Sequence, residues 1–223
     1  MSRQNLARVL NSPRGSKLNA TRWAAVVSLA TLAACAILAA CGAVRPVKYY
    51  RIAPDASSTP AGGAPYPVTL ILGQISAPNL FRDDRLVYSN GSVELGAYDD
   101  HRWAEPPPEM VENMLLESLR ASGQYRTVER ISSSARGDFI LRGRLLAFNE
   151  LDTAQVGAQF SLQLELFDRK AGAVVWTQTY SHDEPATGKT ISAIVEALQI
   201  NVRTGLRELT ASLGQYFASQ AAK

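Results

Sequence analysis

One stretch, residues 156–168, limits the fold more than any other because its apolar and polar residues alternate. Side chains on a β-strand point to opposite faces in turn, so the stretch predicts a strand with one apolar and one polar face. Antiparallel sheets accept such strands, since one face packs on a core while the other meets water. The apolar set is Val156, Ala158, Phe160, Leu162, Leu164 and Leu166, and the polar set is Gln159, Ser161, Gln163 and Glu165.

Further strands are predicted along the rest of the chain. Residues 68–75 are apolar on both faces, which is typical of a central strand. Asn90-Gly91 lies between the apolar runs 86–89 and 92–95 and predicts a hairpin, because both turn positions tolerate positive φ. The remaining predicted strands are 47–52, 125–128, 138–151 and 174–180.

Two helices complete the predicted fold. Pro106-Pro107-Pro108 opens the first helix, its apolar residues follow a 3.6-residue period, and Gly123 ends it. The second helix covers 191–217 with one continuous apolar stripe, which Gly205 weakens locally. The sequence therefore predicts an α+β domain, a mostly antiparallel sheet with two amphipathic helices packed on one face.

The first 40 residues have the layout of a bacterial export signal. Five Lys and Arg residues come first, no Asp or Glu precedes Cys41, and an apolar run covers 23–40. The run ends in Leu38-Ala39-Ala40-Cys41, which resembles the lipobox of bacterial lipoproteins. The sequence predicts that the mature chain begins at Cys41 and that the thiol carries a covalent diacylglycerol and acyl lipid.

Two alternatives compete with this interpretation. The run 23–40 is just long enough to span a bilayer, although its many alanines make it only modestly apolar. Leu32-Ala33-Ala34-Cys35 is a second lipobox-like site, but cleavage there would leave the apolar residues 36–40 on the mature end. Residue 42 is Gly rather than the Asp common in lipoproteins retained at the inner membrane. We therefore expect the periplasmic face of the outer membrane, with the inner membrane as the alternative.

The chain divides into three predicted parts. Residues 1–40 form the signal peptide, and residues 41–67 form a tether, the first strand and a loop rich in Pro, Ala, Ser and Gly. Residues 68–223 form the domain, which the strand 47–52 is expected to join. Loss of the signal leaves 18 Lys and Arg against 20 Asp and Glu, a net charge of −2 that does not favour nucleic-acid binding.

The sequence offers only weak candidates for catalytic or metal-binding residues. His101 lies in the polar run 99–102 and His182 in 181–184, both in predicted loops, and neither offers zinc-ligand spacing. An envelope hydrolase acting through His182-Asp183-Glu184 stays open as an alternative, although no Gly-x-Ser-x-Gly motif is present. Arg142 and Arg144 share one strand face, which more often is solvated than a basic binding stripe. No catalytic residue, metal or cofactor is predicted.

Several short motifs, taken in order, are similar to one family. A lipobox cysteine precedes a strand with two tyrosines, then an Asp-Arg pair, then Trp-Ala-Glu-Pro at the start of an amphipathic helix. This order resembles the ABC-type transport auxiliary lipoprotein family, the PqiC-like lipoproteins. The family pattern has Leu after the first Pro, where this chain has Pro107. The lipobox cysteine of this pattern is Cys41, and the motif positions are Tyr49, Tyr50, Asp84, Arg85, Trp103, Glu105 and Pro106.

The resemblance implies a non-enzymatic, periplasm-facing subunit of an envelope transport system. Its implied partners are a Mce-domain protein and ABC or related inner-membrane components that move lipids or other hydrophobic molecules. It also implies that the motif positions are structural or contact a partner, with Trp103 docking a loop and Arg85 pairing with a carboxylate. A direct lipid carrier is the alternative, although a helix stripe wide enough to fill the apolar face argues against an open pocket.

Overall fold

The computed structural model describes residues 23, 28, 46–53, 66–91, 93–131 and 136–221. The two candidate lipidation sites, Cys41 and Cys35, lie outside this set, as does most of the predicted signal and tether. Within it, the strands are β1 (Lys48–Tyr50), β2 (Tyr66–Ser76), β3 (Arg85–Ser89), β4 (Leu95–Trp103), β5 (Tyr125–Arg130), β6 (Phe139–Leu151), β7 (Gly157–Asp168) and β8 (Ala173–Pro185). The helices are α1 (Asn79–Arg82), α2 (Pro107–Ala121) and α3 (Ile191–Ala221).

The long strand β6 organises the sheet. Along one edge it pairs antiparallel with β7 over its whole length, and β7 pairs antiparallel with β8. The predicted alternation in β7 holds: Leu162 and Leu166 are completely buried on the apolar face. Val156, predicted as the first strand residue, lies just before β7 and accepts a hydrogen bond at its carbonyl from the Ala186 amide. The three strands form the antiparallel half of the sheet.

The other edge of β6 is shared by two strands that follow each other along it. β2 pairs in parallel with residues 139–144, and β3 pairs in parallel with Glu150 and Leu151. The described sheet thus has two branches beyond β6: β5 lies outside β2, while β4 and then β1 lie outside β3. The predicted α+β class is confirmed, and these parallel pairs make the sheet mixed. Residues apolar on both faces, such as 68–75, are typical of parallel strands.

Both amphipathic helices belong to the same buried core as the apolar sheet face. The α3 stripe from Ile194 to Phe217 lies over β7 and β8, and α2 packs against β2, β5 and α3. α2 begins at Pro107 and is followed by Gly123, whose φ of 62° closes it as predicted. α3 extends four residues past the predicted end at 217.

Three local predictions differ from the structure. The hairpin at Asn90-Gly91 forms, but its second strand begins at Leu95 rather than at 92, so the loop is longer than two residues. The connection after β2 contains the short helix α1. β8 continues to Pro185 and contains His182, and β4 contains His101, so both histidines lie in strands rather than loops. Strands with polar residues on both faces, such as 181–184, carry no apolar period that could reveal them.

Candidate functional site

The family-motif positions gather at one place, where the branch containing β1, β3 and β4 meets the start of α2. We call this place the motif junction. It comprises Tyr49, Tyr50, Asp84, Arg85, Trp103, Glu105 and Pro106.

β1 enters the junction as an edge strand. It lies parallel to β4, with Tyr49 opposite Arg102 and Tyr50 opposite Trp103. The Ala104 amide donates a 2.7 Å hydrogen bond to the Tyr50 carbonyl and continues the ladder past the end of β4. The hydroxyl of Tyr50 lies 2.9 Å from Nδ1 of His101, while Tyr49 is 65% exposed. One tyrosine therefore fixes the strand and the other faces outward.

Trp103 is the buried centre of the junction. Its side chain is 2% exposed, and its ring meets Phe148 edge-on with centroids 5.3 Å apart. Phe148 continues the contact to Phe160, and Phe160 to Tyr180, so an aromatic row crosses the sheet. The indole Nε1 of Trp103 has no hydrogen-bond partner among the described residues. The ring is held by packing, which is consistent with the structural role implied for it.

The Asp-Arg pair at the start of β3 makes two ion pairs. Oδ1 of Asp84 accepts a 2.6 Å hydrogen bond from Nη1 of Arg102, and the Asp84 carbonyl accepts one from the Trp103 amide. Nε of Arg85 lies 3.0 Å from Oδ2 of Asp83. The two contacts of Asp84 bind the start of β3 to the end of β4, where pairing between the strands is irregular.

Glu105 and Pro106 set the start of α2. The Pro106 carbonyl accepts the first helical hydrogen bonds, from the amides of Glu109 and Met110. Pro107 at the first helical position loses nothing, because that N–H has no partner within a helix. Oε2 of Glu105 accepts a 3.1 Å hydrogen bond from Nδ2 of Asn113, two turns along the helix. The extra prolines therefore leave a regular helix start.

The chain leaving β1 crosses to α3. Ile52 is 6% exposed, and the Ala53 amide donates a 3.1 Å hydrogen bond to Oε1 of Gln199. The Ala53 carbonyl accepts hydrogen bonds from Nε and Nη2 of Arg203. The segment ahead of the Pro-rich loop is thus attached to both the sheet edge and the long helix.

A buried carboxyl group lies close to the junction and was not predicted. Glu150 is 8% exposed, and its Oε2 accepts a 2.8 Å hydrogen bond from the Tyr98 hydroxyl. Burial raises the pKa of Glu150, and the hydrogen bond from Tyr98 offsets this only in part. Burial and the hydrogen bond to Glu150 both raise the pKa of Tyr98. The irregular part of β4 lets Tyr98 and His101 contact each other, with rings 5.6 Å apart.

The hydrolase candidate does not assemble in the structure. Successive residues of β8 face opposite sides, so Asp183 points away from His182 and Glu184. Asp183 instead accepts a hydrogen bond from Gln159 on β7, and Nε2 of His182 lies 3.6 Å from Oε2 of Glu184. Arg142 lies over the Phe167 ring at 4.9 Å on the polar face. These are ordinary contacts within a strand and between neighbouring strands.

No group of three or more His, Cys, Asp or Glu side chains in the described part of the chain is placed to hold a metal ion. No helix found there has both the length and the apolar character needed to cross a bilayer.

Comparison with known proteins identifies the class. The family model for the ABC-type transport auxiliary lipoprotein component matches residues 50–210. The chain belongs to this family, whose members are auxiliary lipoprotein components of ABC-type transport. No curated protein sequence matches the chain.

Solved structures share the fold. Protein XCC0632 from Xanthomonas campestris is 21% identical with a TM-score of 0.69, over 79% of this chain and 99% of that one. Hypothetical protein CT253 from Chlamydia trachomatis is 8% identical with a TM-score of 0.50, over 69% of this chain and 99% of that one. At these identities the likeness concerns the fold alone.

Proposed function

We propose that this protein is a non-enzymatic adaptor subunit of a Mce-type or ABC-type envelope transport system for lipids or other hydrophobic molecules. A lipid on Cys41 holds it on the periplasmic face of the outer membrane, and the folded domain binds a Mce-domain protein. The observation that carries the proposal is the family match over residues 50–210, together with the lipobox-like sequence ahead of it.

The structure of the motif junction supports binding rather than catalysis. Its buried member, Trp103, packs against an aromatic ring, Asp84 pairs with Arg102 of β4, and Arg85 pairs with the neighbouring Asp83. Tyr49 remains 65% exposed beside them. An exposed aromatic ring on a rigid, well-bonded edge strand is the kind of group that contributes strongly to protein–protein binding.

The core supports an adaptor over a lipid carrier. The apolar face of the sheet carries Leu141, Leu145, Leu162 and Leu164, all at most 1% exposed. The buried stripe of α3 belongs to the same cluster and covers this face. A lipid between helix and sheet would have to displace these contacts.

The deciding experiment is an affinity pull-down of the full-length tagged protein from solubilised envelopes. Co-isolation of a Mce-domain protein is expected with the wild type and with an exposed-site control, Glu117→Gln, on the far part of α2. Tyr49→Ser is expected to reduce the recovered partner several-fold while leaving the fold intact. Recovery of no transport component with the wild type would contradict the proposal.

A further inference from the structure

We propose that the β3–β4 hairpin tip, formed by Tyr88, Val93 and Leu95, is a membrane-contact surface that rests on the bilayer to which Cys41 is attached. The inference depends on the proposed function through the lipid on Cys41 alone, and it holds for any partner.

The tip exposes apolar side chains that the core does not need. Val93 is fully exposed, Leu95 is 47% exposed, and Tyr88 is 37% exposed. Val47, just ahead of β1, is a further exposed apolar side chain at 43%. Single exposed apolar residues are common, but several together at one end of a domain mark a contact surface. Tyrosine rings in particular favour the boundary between water and the lipid headgroups.

The strand directions place the arriving chain at this same end. β1 is parallel to β4, and β3 is antiparallel to β4. The beginning of β1, the beginning of β4 and the end of β3 therefore point the same way, toward the hairpin tip. The chain therefore enters β1 at Lys48 from the end of the strand that points toward the tip.

The tether is short. Six residues lie between Cys41 and Lys48, and the seven steps that join them cover at most about 3.6 Å each, or about 25 Å in all. Lys48 lies opposite His101, next to Arg102, which pairs with Arg85 of β3. Leu95 pairs with Ser89, four residues further along β3, so the start of β4 lies at most about 13 Å of strand beyond Arg102. A lipid anchor on Cys41 therefore reaches the bilayer when the hairpin tip is close to it.

The charges around the tip select the type of lipid surface. Glu94 and Asp99 are exposed on and beside the hairpin. Asp152 is exposed at the adjoining β6–β7 turn, where its amide donates a 2.7 Å hydrogen bond to the Ser89 carbonyl. Lys48 is the basic residue at the start of β1. This acidic surrounding favours contact with zwitterionic headgroups over anionic ones, because like charges repel.

Site-specific fluorescence on the lipidated full chain tests the inference. Cys41 is the last native cysteine and is acylated, so Val93→Cys supplies the single free thiol of the mature protein. The thiol is labelled with an environment-sensitive nitrobenzoxadiazole dye, and the protein is reconstituted into phosphatidylcholine vesicles containing nitroxide lipids. The matched control is Ala171→Cys, exposed at the β7–β8 turn on the opposite end of the sheet.

We expect the dye at position 93 to be quenched several-fold more than the dye at position 171. Replacing a third of the lipid with phosphatidylglycerol is expected to lower that quenching. Equal quenching at the two positions, or none at position 93, would overturn the inference. Flotation of the same vesicles tests the lipid anchor independently. Protein that floats without quenching at position 93 would contradict only the membrane contact of the tip. Protein that does not float would contradict the lipid anchor and with it the proposed function.

Discussion

The hydroxyl of Tyr180 on β8 donates a 2.8 Å hydrogen bond to Oδ1 of Asn201 on α3, and Asn201 is completely buried. Nδ2 of Asn201 donates to the carbonyls of Ala158 on β7 and His182 on β8. One amide thus satisfies three polar groups on two strands. A buried polar group in an apolar stripe is tolerated when all of its hydrogen bonds are made.

Asn201→Leu should destabilise the protein by about 2–4 kcal/mol, because it leaves the buried Tyr180 hydroxyl without its partner and removes the hydrogen bonds from Nδ2 to two strand carbonyls. Urea unfolding followed by circular dichroism measures the loss. Ile200→Ala, on the half-exposed neighbouring position, is the control and should change stability far less. Equal effects of the two substitutions would show that Asn201 contributes no more than helix packing.

Gly205→Ala should destabilise the domain even though alanine is the better helix former. A Cβ at position 205 would lie 2.6 Å from Cδ1 of Tyr180 and 2.9 Å from Cε1 of Phe160. Overpacking of this kind costs about 1–3 kcal/mol, against a gain of about 1 kcal/mol in helix propensity.

Gly214→Ala is the matched test on the same helix. Its Cβ would meet only the end of the Gln124 side chain, at 2.8 Å, and that amide can move. Stability should stay unchanged or rise by up to about 1 kcal/mol. A thermal melt that ranked the two alanine variants in the opposite order would contradict the assigned contacts.

The stability of the protein should depend on the volume of the Trp103 ring and not on its N–H group. Trp103→Ala is expected to cost about 3–5 kcal/mol, the usual range for a buried aromatic ring. Trp103→Phe keeps the edge-on contact with Phe148 and should cost much less, because Nε1 has no partner within the described residues. Chemical denaturation compares the two. A phenylalanine variant as unstable as the alanine one would reveal a hydrogen bond at Nε1.

Glu150 should make the protein less stable as the pH rises. Because burial raises the pKa of Glu150 in the folded state, its favourable contribution is complete at acidic pH and is lost as the pH climbs through the folded-state pKa. Glu150→Gln keeps an acceptor for the Tyr98 hydroxyl and should raise the melting temperature at pH 7–8 but not at pH 4. The exposed substitution Glu117→Gln is the comparison. If the difference in melting temperature between the wild type and Glu150→Gln did not change with pH, the prediction would be wrong.

Cys41 should be the lipidated residue. Cells grown with radiolabelled palmitate should label the wild type and Cys35→Ala, and labelling should be absent from Cys41→Ala. The physical reason is that processing at position 35 would leave five apolar residues exposed to water on the mature protein. If Cys41→Ala kept the label and Cys35→Ala lost it, the lipidated residue would be Cys35. If the label remained when both cysteines were replaced, the lipid would not be linked to a cysteine.

The sequence revealed those elements whose residues repeat with the period of their own geometry. The alternation in β7 and the stripe of α3 each show in a single segment, because one face of each is buried. β8 shows the limit: its last residues, Ser181 to Glu184, are polar on both faces, since this part lies at the sheet edge with little covering it. No local pattern marked His182 as a strand residue.

Contacts between residues far apart in the chain could not be predicted from the sequence either. Tyr98 and Glu150 meet only because β3 places β4 beside the end of β6, and nothing in either segment signals the other. The parallel pairing of β2 with both β5 and β6 was equally hidden, since an apolar strand does not specify the direction of its neighbours. The motif residues were found through the family pattern, and only the structure shows that Asp84 and Trp103 touch.

The parallel arrangement of β1 and β4 also fixes how the domain responds to mechanical load. A pull on the chain ahead of Lys48 runs along the strand axis, so the hydrogen bonds from Lys48 to Ala104 are sheared together instead of being peeled apart one by one. If this ladder breaks, the hydrogen bonds of Gln199 and Arg203 to the backbone of Ala53 are the next to carry the force. A force applied through the tether must therefore break the contacts of β1 before it can unfold the core.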